Sequence, residues 1–310
     1  VKYVRMHGTM EFAAGGATHD VYDMIEKYGI VPEEAYTGLN YGTDLHRHGE
    51  LDAVLRAYVD AVIKNPNRKL TTSWLDGIDG ILDAYFGVRP DKFTYKGKEY
   101  TPVSFAKSLG LDMGDYIAFT SYTHHPFYSQ FALEIPDNWA WGLYYNVPVN
   151  ELTRLIDLSL EKGYSVDWGA DVSEGGFIYM KGFAVIPDES AEDMHGTEIS
   201  RWVRMNPGQQ QAVIAKSEKP IKEKTVITQA DRQEAFDNYL TTDDHGMLIT
   251  GMATDQDGNR FYKVKNSWDT TQLYGGYLYA SEPYMAYKTM AITVHKDVIP
   301  KELKNKLGIK

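Results

Sequence analysis

The stretch DDHGMLITGMATDQDGNRFYKVKNSW, residues 243 to 268, constrains this chain more than any other. Asp257-Gly258 is a strong hairpin-turn signal, and the apolar-rich runs on either side of it are of nearly equal length. The spacing predicts that 247–253 pairs antiparallel with 260–266. That hairpin folds His245 and Asn266 back beside each other at its open end. On the second strand the two-residue period puts Tyr262, Val264 and Asn266 on one face, with Lys263 and Lys265 on the other. Asn266 is therefore expected as an amide on the apolar side, next to an imidazole.

Such a pair has a chemical use. An imidazole that must accept a proton on one nitrogen needs its other N–H held by a fixed acceptor, and an Asn carbonyl does this without adding charge. Trp268, two residues on, is placed to keep water from the pair. A core histidine beside an ordinary strand end is the alternative. The order His, hairpin, Asn-Ser-Trp favours the first reading.

The rest of the chain is helical early and stranded late. In THDVYDMIEKYGIVPEEAY, Val21, Met24, Ile25 and Tyr28 fall on one helical face, with Thr18 as N-cap and Gly29 as the stop. From Thr43 to Phe105 helical stripes follow, one through Leu51, Val54, Leu55, Tyr58, Val62 and Ile63, another through Trp74, Ile78, Ile81, Leu82, Tyr85 and Phe86. NELTRLIDLSLEKGY, 150–164, reads as a further helix with Leu152, Leu155 and Ile156 inward. SVDWGAD, GGFIYMKGFAVI and the runs 276–280 and 289–294 read as strands. The class is α+β.

Composition narrows the partners. The 32 Lys+Arg against 43 Asp+Glu leave a net charge of −11, and no basic cluster tracks a phosphate backbone, so nucleic acid is excluded. No apolar run approaches the roughly 20 residues that span a bilayer. No cofactor or metal motif is expected: adjacent His124-His125 side chains should diverge with no carboxylate at ligand spacing, and His46 and His48 read as a solvated loop. Gly15-Gly16 is either a helix-entry turn or a place where a backbone can approach a ligand closely.

The 243–268 stretch is similar to the His and Asn elements of papain-like cysteine peptidases. Nearly all of the chain resembles the bleomycin hydrolase or aminopeptidase C branch of that clan. KYVRMHGTMEFAAGGATHDVYDMIEKYGIVPEEAY resembles the segment after that family's nucleophile helix, and GYSVDWGADV and HKDVIPKEL resemble later landmarks. The resemblance implies a papain-like two-lobed α+β fold, a helical lobe plus an antiparallel β lobe, with a helical insertion. Residues 1–42 would belong to the helical lobe, 43–105 would be the inserted oligomerisation module, and 106–310 the remaining core.

It implies a cysteine peptidase or aminopeptidase acting on short peptides without a cofactor, cytoplasmic, and assembled as a homohexamer. His245 would be the base, Asn266 its orienting amide, Trp268 their shield. Gly15 and Gly16 would bind substrate backbone, and Lys310 would end the specificity arm. The departure is that the 310 residues contain no cysteine. In the family the oxyanion-hole Gln and the nucleophilic Cys lie upstream of the segment with which this chain starts, so the nucleophile is expected in a missing upstream piece and this chain alone is expected to be inactive. A catalytically inactive peptide-binding or scaffold protein is the alternative.

Overall fold

A computed structural model describes residues 1–10, 12–13, 15–188, 208–209, 222–268 and 270–309. They fall into two compact units, Val1–Met113 and Gly114–Lys310. No helix among the described residues is long and apolar enough to cross a membrane.

In the first unit, α1 (Lys2–Arg5) precedes α2 (Thr18–Tyr28), α3 (Gly49–Ile63) and α4 (Ser73–Phe86). The N-terminus of α2 is closed by the Asp20 carboxylate, which accepts from Ala17 N at 3.0 Å. Its C-terminus stops at Gly29, whose φ of 76° suits glycine. The absence of a Cβ there also admits α5 (Pro102–Ser108): a Cβ on Gly29 would lie 2.1 Å from Pro102 C, and Ile30 N donates to Pro102 O at 3.2 Å.

One expectation is corrected in this unit. The helical reading does not extend to Phe105, because β1 (Phe93–Tyr95) and β2 (Lys98–Tyr100) form an antiparallel hairpin. Its turn residues Lys96 and Gly97 both take positive φ, 47° and 77°, the combination a two-residue hairpin turn needs. The apolar stripe of α2 stands open: Val21 and Met24 are 57% and 47% exposed. The periodicity made the helix amphipathic, but nothing in the described structure covers that face.

The second unit is built on a ten-stranded mixed sheet. In chain order its strands are β3 (Tyr116–Thr120), β4 (Gln130–Ala132), β5 (Leu143–Asn146), β6 (Val166–Ala170), β7 (Phe177–Ile178), β8 (Phe183–Ala184), β9 (His245–Thr254), β10 (Arg260–Lys265), β11 (Tyr277–Ser281) and β12 (Thr289–His295). In the sheet they run β4-β5-β3-β12-β6-β9-β10-β11-β8-β7. Pairing is antiparallel except for β3 with β5 and β8 with β11.

Against this sheet lies α6 (Val149–Glu161), which buries Leu152, Leu155 and Ile156 beside Trp168, Ile249, Val264 and Ile292. Each such side chain removed from water is worth about 1.5–3 kcal/mol. Polar links set the helix's position. Asp157 accepts from the buried Tyr262 hydroxyl at 2.8 Å and pairs with Arg260 at 3.0 Å. Among the described residues three more short helices follow: α7 (Gln229–Asp237), α8 (Glu282–Lys288) and α9 (Lys301–Leu307). The sequence periodicity does not announce them, because two turns give too few repeats of a 3.6-residue pattern.

Candidate active site

The strand β9 begins at His245 and lies between β6 and β10, with Ala170 the register partner of His245 on one side. On the other side the ladder shifts. Lys263 pairs with Gly251, but Val264 pairs with Ile249, so Thr250 is left over as a bulge residue. Because strand side chains alternate, a one-residue slip exchanges faces. Carried on from Lys265↔Leu248, the shifted register sets Asn266 opposite Met247, on the face that His245 shares. In the unshifted register it would oppose Leu248 and point away from His245.

Asn266 follows the last ladder residue and is tied down by its own N–H, which donates to Gly276 O at 2.9 Å. Its side chain is buried, 5% exposed. Oδ1 accepts from Ser267 N at 2.7 Å and faces His245 Nε2 at 2.8 Å. A backbone N–H can only donate, so the Ser267 contact fixes which amide atom is the oxygen. It follows that His245 Nε2 carries a proton and donates it to Oδ1. Nδ1 is left as the ring nitrogen with a free lone pair, the arrangement of a general base.

Trp268 lies over the pair. Its ring centroid is 5.0 Å from that of His245, and it meets Tyr179 edge-on at 5.0 Å and Phe177 at 5.8 Å. At 49% exposure it screens one side of the imidazole while its other face meets water.

A buried ionic cluster supports the entry to β9, and the sequence reading missed it. Asp244 accepts from Val172 N at 3.1 Å, Ser173 N at 2.9 Å and the Thr242 hydroxyl at 2.7 Å. Burial alone would raise its pKa, but hydrogen bonds from Asp171 and these donors hold it below the usual carboxylate range. Asp171, fully buried, is raised, first by burial and also by Asp244, against the pull of Lys288. Lys288, 1% exposed, pairs with Glu174 at 2.9 Å and Asp171 at 3.3 Å and also donates to Leu240 O. Burial would lower its pKa, but the two carboxylates overcome that and raise it. The available signal was the acidic DDH before β9 and a lysine inside the apolar run YMAYKTMAI. Nothing local links them.

Gly15 and Gly16 belong to the first unit, where Gly15 takes a φ of 133° that favours glycine. Lys310 lies outside the described residues. The expectation that His124 and His125 diverge without a carboxylate is corrected. Their Nε2 atoms both turn to Glu134, at 3.1 and 3.0 Å, because the turn after β3 brings the loop back over the end of β4.

Comparison with known proteins gives a consistent picture. The profile of the Peptidase C1-like family matches residues 3–183 and 188–309. The chain is 24% identical over 312 residues to aminopeptidase G of Lactobacillus delbrueckii subsp. lactis, covering 93% of this chain and 64% of that protein. It is 26% identical over 313 residues to aminopeptidase C of Listeria monocytogenes, with the same coverages of 93% and 64%. The crystal structure of PepW from Lactobacillus rhamnosis superposes with a TM-score of 0.65 at 21% identity, over 95% of this chain and 65% of that one, and so shares the papain-like α+β fold. The chain thus spans 64% of the length of these curated relatives.

Proposed function

The chain belongs to the Peptidase C1-like family, and from that premise we propose that it carries the general-base half of a cysteine peptidase of the bleomycin hydrolase type, acting as an aminopeptidase on short peptides. The observation that carries the reading is the His245 imidazole held through Nε2 by the Asn266 carbonyl at 2.8 Å, with Nδ1 free. Nδ1 takes the proton of a thiol, and the thiolate attacks the peptide carbonyl carbon. The tetrahedral intermediate collapses as the same nitrogen returns the proton to the leaving amine. Asn266 keeps the ring in one tautomer throughout, and Trp268 limits water at the ion pair. Gly15 and Gly16 would hydrogen-bond an extended substrate through their backbone. Lys310 would belong to the arm that meets the substrate's α-amine.

The thiol is not among these 310 residues, which contain no cysteine. The reading therefore requires it from sequence beyond them. Residues 43–105 would serve as the oligomerisation module. Exposed apolar side chains within that span, Leu70, Leu75 and Val88 among them, support burial against another copy. The absence of cysteine also favours a second reading, a peptide-binding protein without chemistry.

The test is hydrolysis of free-amine and N-acetylated short peptides by the complete gene product, with and without iodoacetamide. Thiol-dependent hydrolysis of the free-amine peptide that His245→Ala abolishes is expected. Peptide binding with no hydrolysis by any form would establish the second reading.

A further inference from the structure

The loop after β3 and the second residue after β4 bring three potential metal ligands to one point. His124 Nε2 lies 3.1 Å from Glu134 Oε2 and His125 Nε2 lies 3.0 Å from Glu134 Oε1, with all three ligand atoms within 4.8 Å of one another. Among the described residues this is the group of His, Asp and Glu side chains so disposed. A tetrahedral ion with bonds of about 2.0–2.1 Å has ligand-to-ligand edges of roughly 3.3 Å. The two short contacts end on different oxygens of Glu134, so with one carboxylate oxygen bound one edge is already near that length, and the others, within 4.8 Å, close by rotation of the partly exposed side chains.

The surroundings hold these groups in place. Asn146, fully buried, accepts from Tyr122 N at 2.9 Å and donates to Tyr122 O at 2.7 Å and His125 O at 2.9 Å, which fixes the loop backbone. The His125 ring stacks on Phe131 at 4.2 Å, and the His124 ring stacks on Phe236 at 5.7 Å. On the far side of His124, Nδ1 faces the amide of Gln233, with Oε1 at 3.4 Å and Nε2 at 3.1 Å. That amide is itself oriented by Thr123 N, which donates to Oε1 at 2.6 Å, and by Asp237, which accepts from its Nε2 at 2.9 Å. An imidazole whose second nitrogen is held by a fixed polar group is the usual support of a metal-bound histidine. With side-chain exposures of 29%, 37% and 58% for His124, His125 and Glu134, an ion reaches the ligands directly from solvent.

We infer that His124, His125 and Glu134 bind a first-row divalent transition metal through two Nε2 atoms and one carboxylate, leaving a fourth position open. Two imidazoles and one carboxylate suit Zn2+ or Co2+ and discriminate against Mg2+ and Ca2+, which prefer all-oxygen shells. Without metal each ring keeps its proton on Nε2 and donates to Glu134. On binding, that proton moves to Nδ1, where for His124 it is donated to Gln233 Oε1, and the freed Nε2 lone pair takes the ion. The site does not depend on the peptidase reading.

The experiment is titration of the 310-residue chain with Co2+, read by its visible absorption, and with Zn2+ by calorimetry. The chain's lack of cysteine removes thiolates as competitors. One ion per chain is expected. Glu134→Gln and His125→Asn should each weaken binding by at least roughly 10- to 100-fold, and Gln233→Ala by about tenfold. Because Glu134 is mostly exposed, Glu134→Gln should melt as the parent does without metal, so its effect is not one of folding. Saturation with Mg2+ should not displace the ion. The proposal is overturned if no stoichiometric binding occurs, if Glu134→Gln binds as tightly as the parent, or if His245→Ala rather than the two ligand variants removes the Co2+ spectrum.

Discussion

Val264 pairs with Ile249 and not with Thr250, the partner that the start of the same hairpin would give it. This single skipped residue brings Asn266 to the face of His245. Thr250 is the residue left unpaired, and its hydroxyl donates to Lys263 O at 3.2 Å. Deleting Thr250 should restore a regular ladder that keeps Val264 opposite Ile249 and Asn266 opposite Met247, on the face of His245. The expected outcome is a folded sheet in which the His245 Nε2–H bond to Asn266 survives, read from the imidazole nitrogen resonances. A folded deletion variant that loses the bond would show that the Val264↔Ile249 register is not what positions the amide.

The tautomer itself can be measured. In the 310-residue chain His245 should be Nε2-protonated with Nδ1 bare, because Asn266 Oδ1 is fixed as an acceptor by Ser267 N. Asn266→Ala should populate both tautomers and cost about 1–2 kcal/mol for the two hydrogen bonds lost. Asn266 Nδ2, buried without a hydrogen-bond partner among the described residues, offsets part of that cost when it is removed. A single Nε2–H tautomer surviving in Asn266→Ala would contradict the role given to the amide.

Lys288 should be among the most sensitive positions in the fold. It is 1% exposed and balances Asp171 and Glu174. Lys288→Met leaves those carboxylates uncompensated and should destabilise by about 3–5 kcal/mol in denaturant unfolding. The double variant Lys288→Met with Asp171→Asn should recover much of the loss, since removing both charges removes the desolvation penalty. Strictly additive losses would mean that the two residues do not act as a pair.

Asp243 gives a pH dependence of known sign. Burial, and next the charge of Asp137, push its carboxyl up to about 6. A carboxyl with a folded pKa above its unfolded value binds more protons when folded, so stability falls as pH rises between the two, here from about 4 to about 6. The full difference is on the order of 3 kcal/mol. Asp243→Asn keeps an oxygen for Asp137 N, which donates to Asp243 Oδ2 at 3.2 Å. The variant should therefore match the parent near pH 4 and exceed it above pH 6 in thermal or denaturant unfolding. A gap that shrinks with rising pH would reverse the assignment.

Gly29 tests the first unit. A methyl group there meets the Pro102 backbone at 2.1 Å, and the φ of 76° is unfavourable for alanine. Gly29→Ala should cost about 2–4 kcal/mol and speed hydrogen exchange in α2. Unchanged protection of α2 would mean that its contact with α5 contributes little.

The sequence by itself determined the elements whose pattern is local and repeated. The alternating runs around the 255–259 turn make β9 and β10, the 3.6-residue stripe through Leu152, Leu155 and Ile156 makes α6, and Gly29 stops α2. The spacing of His245 and Asn266 about one turn was legible for the same reason. Tertiary structure decided everything that depends on which distant surface an element meets. Whether the stripe of α2 is covered, which short helices form, and how Asp171 meets Lys288 across 117 residues of chain follow from packing, which no local period encodes. Nor does the two-residue period carry the leftover Thr250: a bulge is set by the balance of pairing β9 with β6 on one edge and β10 on the other. That balance belongs to the whole sheet, and it is what turns Asn266 toward His245.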